Sequence, residues 1–131
     1  MISRVRPKLL FLLICAFYPF LWSPLTVYAK KTLRVTLMRF LENTKGPLIV
    51  VADLNDVPGG SAYKLMRTKF DDAWIKSRAK GDGFSYPADK PVKRIDHIFY
   101  RRGDQVRPKK AWVVTTLASD HVPVVAELEV Y

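Results

Sequence analysis

The chain has 131 residues, 49% of them hydrophobic and 26% charged, which leaves room for one domain at most and excludes a disordered polar chain. Its formal charge of +10 arises from 22 Lys and Arg against 12 Asp and Glu; only Arg4, Arg6 and Lys8 of the basic residues precede residue 30, so the rest keeps +7. That balance favours polyanionic partners, whether nucleic acid, anionic lipid headgroups or phosphorylated small molecules, and does not choose among them.

In chain order, Met1 to Lys8 carries the three basic residues, Leu9 to Trp22 is almost wholly apolar, and Val27-Tyr28-Ala29 puts modest side chains where a signal peptidase cuts. The apolar run from Leu9 to Val27 is also long enough to cross a bilayer as a helix, with the flanking charge holding the N-terminus inside. Residues 1–29 therefore read either as a cleaved secretory signal or as a membrane anchor. Both fates place residues 30–131 outside the cytoplasm, secreted or anchored. Cys15, the only cysteine, lies in this segment, so the remainder has neither an internal disulfide nor a thiolate metal site.

Apolar residues at Leu33, Leu37, Phe40 and Leu41 line one face of a predicted helix that Gly46-Pro47 ends. Leu48 to Ala52 is a short β-branched run, expected as an interior strand covered on both faces. Ser61 is a candidate N-cap for a helix through Lys69, and Asp71 to Ala79 is expected to add a further turn or two. Gly81-Asp82-Gly83 and Pro87 to Pro91 mark a loop, and Arg94 to Tyr100 reads as a strand. Ala111 to Thr116 and Val122 to Val130 are two further strands, linked by Leu117 to His121.

Chemistry concentrates in three places. Asp53 and Asn55 follow the first strand, so its C-terminal end holds an acceptor beside an amide; a carboxylate there can orient water or help bind a metal, and an amide can hold a phosphoryl oxygen. Taken alone, Asp-Leu-Asn-Asp also fits a plain turn. In Arg94-Ile95-Asp96-His97-Ile98, alternation sends Asp96 to the face opposite Ile95, His97 and Phe99. Asp96 then needs a partner such as an imidazole or an arginine, and His97 is expected in the core. Ser119-Asp120-His121 offers a hydroxyl, a carboxylate and an imidazole on one loop.

The order Ala52-Asp53-Leu54-Asn55-Asp56, Arg94-Ile95-Asp96-His97-Ile98, Ser119-Asp120-His121-Val122-Pro123-Val124 resembles the second half of the endonuclease/exonuclease/phosphatase superfamily. The likeness runs from about Leu33 to Val130 and takes in the Gly59 to Leu65 region and the Gly83-Phe84-Ser85-Tyr86-Pro87 loop. It implies an α/β (α+β) fold: half of a four-layer α/β/β/α sandwich, mainly antiparallel sheet with flanking helices, preceded here by the apolar N-terminal helix. It implies a metal-dependent phosphoesterase in which Asp53 positions or deprotonates water and Asn55 holds a phosphoryl oxygen. Asp96 would orient His121, which would stabilise charge at phosphorus, and Asp120 would lie at a divalent metal, Mg2+ or Mn2+. Asn55, His121 and Arg94 would face the substrate phosphate of a nucleic acid, phospholipid or inositol phosphate.

Two departures accompany the likeness. Ala52 stands where the family has Gly, and the family's first half, with the Glu that is its principal metal ligand, has no counterpart; Glu42 lies on the helix before the first motif. Half a sandwich would expose an apolar sheet face, to be covered by a partner chain, by self-association or by the membrane through residues 9–27. The competing reading is a non-catalytic phosphate- or polyanion-binding module, or a truncated tethered relic of such an enzyme. Its binding would run through Lys90, Lys93, Arg94, Arg101, Arg102 and the Arg107 to Lys110 cluster.

Overall fold

Met38 and Leu41 are spaced to share one face of a helix, and they are the buried residues of helix α1, residues 35–43, in the computed structural model, which describes residues 35–131. The targeting segment expected over 1–29, with its apolar helix, lies outside the described residues; among these no helix is long and apolar enough to cross a membrane. The buried face is turned slightly from the expected one: Leu37 packs at its margin and Phe40 is exposed.

Three strands form one antiparallel sheet in the order β1-β3-β2, with β1 at Ile49–Asp53, β2 at Phe70–Asp72 and β3 at Asp96–Arg101. The β1–β3 register sets Val51 opposite Ile98 and Asp53 opposite Asp96. Side chains alternate, so Val50 and Phe99 enter a core closed by α1 and by α2 at Ser61–Arg67, together with Leu48, Tyr63, Met66 and Phe70. His97 joins this face as expected, stacked on Phe99 with ring centroids 5.5 Å apart. Ile49, Ile98 and Tyr100 point the other way, against Ala73, Val106, Ala126 and Leu128. Three of these come from a second sheet, the hairpin of β4, Val106–Val113, and β5, Val124–Val130.

That second face is thinly covered. Ile49, Val51 and Ile98 are only partly buried, and β5 has no buried residue. The strand expected to be interior is thus buried on one face only, and among the described residues it stands at the sheet edge. A continuous apolar run fits either position, which is why sequence alone did not separate them.

Segment 70–79 differs from expectation in a way that holds the sheet together. Instead of helix from Asp71, the chain forms β2 and then the single turn α3, Ala73–Lys76. Asp72 is fully buried and makes this possible: its carboxylate accepts from Tyr63 Oη at 2.7 Å, Arg94 Nη1 at 2.9 Å and the Trp74 backbone N–H at 2.9 Å. Burial, with the Asp72 carboxylate next in effect, pushes the Tyr63 hydroxyl up to about 12, so it stays a donor at every physiological pH.

Two boundaries also move. Ser61 is not the N-cap of α2; Gly60 holds that position, and Asp56 supplies the carboxylate, accepting from Ala62 N–H at 2.7 Å. A Cβ on Gly60 would fall 1.7 Å from Asp56 Oδ1, so the glycine is what lets the carboxylate reach the helix. Strand β4 begins at Val106 rather than Ala111, taking in Arg107, Pro108, Lys109 and Lys110; the register shifts between Pro108 and Lys110, an irregularity that admits a proline to a strand.

Removing Asp72 would leave the Arg94 guanidinium buried and unpaired. Asp72→Ala is therefore expected to cost about 3–5 kcal/mol, read as a lowered urea midpoint with unchanged slope. A loss below about 1 kcal/mol, the range of exposed pairs, would contradict the role given to this carboxylate.

Candidate active site

Opposite residues in an antiparallel pair share a face, so the register that sets Asp53 against Asp96 brings two carboxylates side by side. Like charges directly opposite each other destabilise a sheet, and a sequence that keeps them needs something to offset the repulsion. Each carboxylate has a partner. Asp96 Oδ2 accepts from His121 Nδ1–H at 2.7 Å. Asp53 Oδ1 accepts from the Asn55 backbone N–H at 2.8 Å and Oδ2 from the Asn55 amide at 3.3 Å.

The Asn55 contact is a local turn stabilised by the Asp53 side chain, and Asn55 takes φ +47°, a left-handed conformation that asparagine tolerates better than most residues. His121 reaches Asp96 from a loop. Its ring also meets that of Tyr86, with centroids 4.9 Å apart, and its backbone N–H donates to Ser119 Oγ at 3.2 Å. Ligand atoms of Asp53, Asp96 and His121 all lie within 4.8 Å of one another, and the three side chains are part-buried, neither sealed nor fully hydrated. This is the arrangement expected where one small polar group is held from several sides.

Partial burial acts to lower the His121 pKa, but the hydrogen bond to Asp96, and after it the charges of Asp96, Asp53 and Asp120, outweigh burial, so the imidazolium is favoured overall. The other histidine goes the opposite way. His97 is buried, donates Nε2–H to the Asp56 carbonyl at 3.0 Å, and has no partner for Nδ1 among the described residues. Burial lowers its pKa and keeps it neutral. The two histidines are thereby split into a packed core ring and a part-buried ring whose imidazolium is favoured.

The remaining expected residues are not gathered at this point. Asp120 is exposed, with Oδ1 accepting from Ser119 Oγ at 3.2 Å, and it does not share the three-residue cluster. Arg94 turns inward to Asp72, its side chain 6% exposed, and lies over the Tyr63 ring at 5.9 Å. Its guanidinium is thus committed to the core, not to a ligand. Arg101, Arg102 and Lys109 are likewise engaged by Asp104, Asp71 and Glu129. Sequence reasoning passed over Asp56, whose carboxylate caps α2 and whose carbonyl holds His97, and Tyr86, the ring against His121.

A sequence profile described as the Endonuclease/Exonuclease/phosphatase family matches residues 10–121. Among solved structures the chain is similar to an endonuclease/exonuclease/phosphatase from Bacteroides vulgatus, at 22% identity and a TM-score of 0.67, covering 79% of this chain and 45% of that one. It is similar also to a mannosyl-6-phosphatase from Bacteroides thetaiotaomicron, at 18% identity and a TM-score of 0.54, with the same coverage of 79% and 45%. The human Nocturnin catalytic domain with bound sulfate matches at 21% identity and a TM-score of 0.56, over 74% of this chain and 38% of that one. These likenesses concern the fold, and the chain spans less than half the length of each. No curated protein matches it.

The Asp96 contact makes a signed prediction. In an NMR titration His121 has its midpoint above 6.5, and Asp96→Asn brings that midpoint down. Because the folded value is the higher one, the pair stabilises the fold below the unfolded pKa, and that contribution is lost as pH rises through the folded pKa. An unchanged midpoint in Asp96→Asn would contradict the contact.

Proposed function

The chain belongs to the endonuclease/exonuclease/phosphatase family, and we propose that it carries the phosphate-facing half of a phosphoesterase site, hydrolysing a phosphodiester or phosphomonoester with water. One observation carries the reading: Asp53 and Asp96 are register partners, and Asp96 holds the His121 ring by Nδ1 at 2.7 Å. This leaves His121 Nε2 as a donor facing away from Asp96, charged over the range where the raised pKa keeps it so.

The geometry supports a role for each residue. Asp53 accepts the proton of a water whose oxygen forms the new bond to phosphorus while the ester P–O bond breaks and the leaving oxygen takes a proton from solvent. His121 stabilises the negative charge that builds on the phosphoryl oxygens, and Asp96 keeps its ring in place and favours the imidazolium. Asn55 offers an amide to one phosphoryl oxygen once its Nδ2 leaves Asp53.

A divalent metal fits the donor set. Asp53 and Asp96 offer carboxylate oxygens and oxygen donors suit Mg2+ or Mn2+, while Asp120 lies outside this cluster. When bound, such an ion supplies Lewis-acid stabilisation of phosphoryl charge. Among the candidates of the polyanion-binding reading, Arg94, Arg101, Arg102 and Lys109 are each paired with a carboxylate, while Lys90, Lys93, Arg107 and Lys110 are exposed.

The substrate belongs to the phosphorylated class suggested by charge: nucleic acid, phospholipid headgroup or sugar or inositol phosphate. The names of two similar structures, an endonuclease/exonuclease/phosphatase and a mannosyl-6-phosphatase, point to phosphate esters without narrowing that set. Action outside the cytoplasm, with residues 9–27 at a membrane, is the proposed setting. A complementary sheet from a partner chain or a second copy would cover the part-buried Ile49, Val51 and Ile98.

The test uses the 131-residue chain with chromogenic phosphodiester and phosphomonoester substrates, with and without Mg2+ or Mn2+. Turnover is expected with metal, and Asp53→Ala and His121→Ala are each expected to lower kcat by about 10²–10⁴-fold. Turnover that neither substitution reduces would contradict the site. A folded chain with no turnover would contradict catalysis by this chain alone.

A further inference from the structure

His121 sits on a poor foundation for a group that must be held in one orientation. Residues 117–120 before it are exposed, and its own side chain remains 25% exposed. No strand includes it, since β4 ends at Val113 and β5 begins at Val124. A lone hydrogen bond to Asp96 does not fix a loop, because loops open locally at low cost.

What fixes it is a segment outside the three motifs. The Val122 N–H donates to the Ser85 carbonyl at 2.8 Å and the Ala88 N–H donates to the Asp120 carbonyl at 2.8 Å, so residues 85–88 bracket His121 on both sides. Ser85 is fully buried. Its backbone N–H donates to the Lys93 carbonyl at 2.8 Å, tying the segment to the chain that leads into β3. Its Oγ faces the backbone N–H groups of Ile95 and Asp96, each at 3.3 Å.

One residue thus touches the backbone of Asp96 and, through Val122, the neighbour of His121. Tyr86 adds its ring against the imidazole, 4.9 Å between centroids and tilted by 51°. The approach depends on Gly83, which takes φ +69° and where a Cβ would lie 2.7 Å from Trp74 Cε2 and 2.9 Å from Arg94 Cδ. Only glycine lets the segment enter this close to the Asp72–Arg94 core.

We propose that Ser85 and Tyr86 are positioning residues: residues 85–88 form a strap that locks the His121 loop to the start of β3 and holds the imidazole Nδ1 on Asp96. Ser85 sets the distance between the two backbones, and the Tyr86 ring blocks the swing that would carry His121 away. Neither side chain needs to touch substrate to do this. The idea rests on the phosphoesterase reading for its purpose, but its geometry and its test do not require turnover.

The test follows the imidazole Nδ1–H proton of His121 by NMR in the full chain labelled with ¹⁵N-histidine, assigned by its loss in His121→Gln. In the wild-type chain, in Tyr86→Phe and in Ser85→Thr the proton is expected to be visible. In Tyr86→Leu and Ser85→Ala its exchange with solvent is expected to rise about tenfold or more, broadening it away while the backbone amide spectrum stays dispersed. If Ser85→Ala fails to fold, Tyr86→Leu decides, since Tyr86 is only part-buried. A protected Nδ1–H in Tyr86→Leu, or none in the wild-type chain, overturns the proposal. Failure to hydrolyse any phosphate ester would count against the functional reading and leave the strap intact.

Discussion

Antiparallel pairing of β1 with β3 is the constraint on which the site depends. It is a register, not a contact: with Val51 opposite Ile98, Asp53 falls opposite Asp96, and a slip of either strand by one residue would turn its carboxylate toward the α1/α2 core and split the pair. The buried partners Val50 and Phe99 enforce that register, since a slip would expose them and bury charge. Hydrophobic alternation thereby positions the two carboxylates without any direct contact between core and site.

The same logic runs through the polar interior. Asp72 joins α2 through Tyr63, α3 through Trp74 and the approach to β3 through Arg94, so one buried carboxylate fixes three elements around the sheet. Arg94 in turn packs against Gly83, two residues before the strap over His121. A continuous set of packed and hydrogen-bonded groups therefore links the core pair to the part-buried imidazole. The repulsion between Asp53 and Asp96 is a local conflict of the kind retained at functional sites, offset here by His121 and Asn55.

Much of this was legible before the structure. The helix before Gly46, the β1 and β3 strands and the opposed faces of Asp96 and His97 follow from period, and the need of Asp96 for an imidazole or arginine partner from chemistry; its pairing with His121 was implied by the family resemblance. What escaped has definite reasons. Strand β2 consists of Phe70, Asp71 and Asp72, which no strand pattern favours, and exists because β3 and Arg94 supply its pairing and its countercharge. Gly60 replaced Ser61 as the cap because the carboxylate comes from Asp56, a loop away. Arg94 looked like a phosphate ligand because an arginine beside Asp96 invites that reading, and its inward turn depends on Asp72, 22 residues distant. Strand β4 starts at Val106, ahead of the expected Ala111, because the register irregularity between Pro108 and Lys110 lets the strand take in the proline and its basic neighbours.

The claim that Asp53, Asp96 and His121 form one phosphate-facing site is tested most directly by titrating the chain with inorganic phosphate, with and without Mg2+, while recording backbone and side-chain NMR signals. The account predicts saturable shifts at Asn55, Asp96 and the His121 imidazole. Shifts confined to the far end of the sheet, where Lys69, Arg101 and Arg102 line an open groove, would contradict it and place anion binding elsewhere.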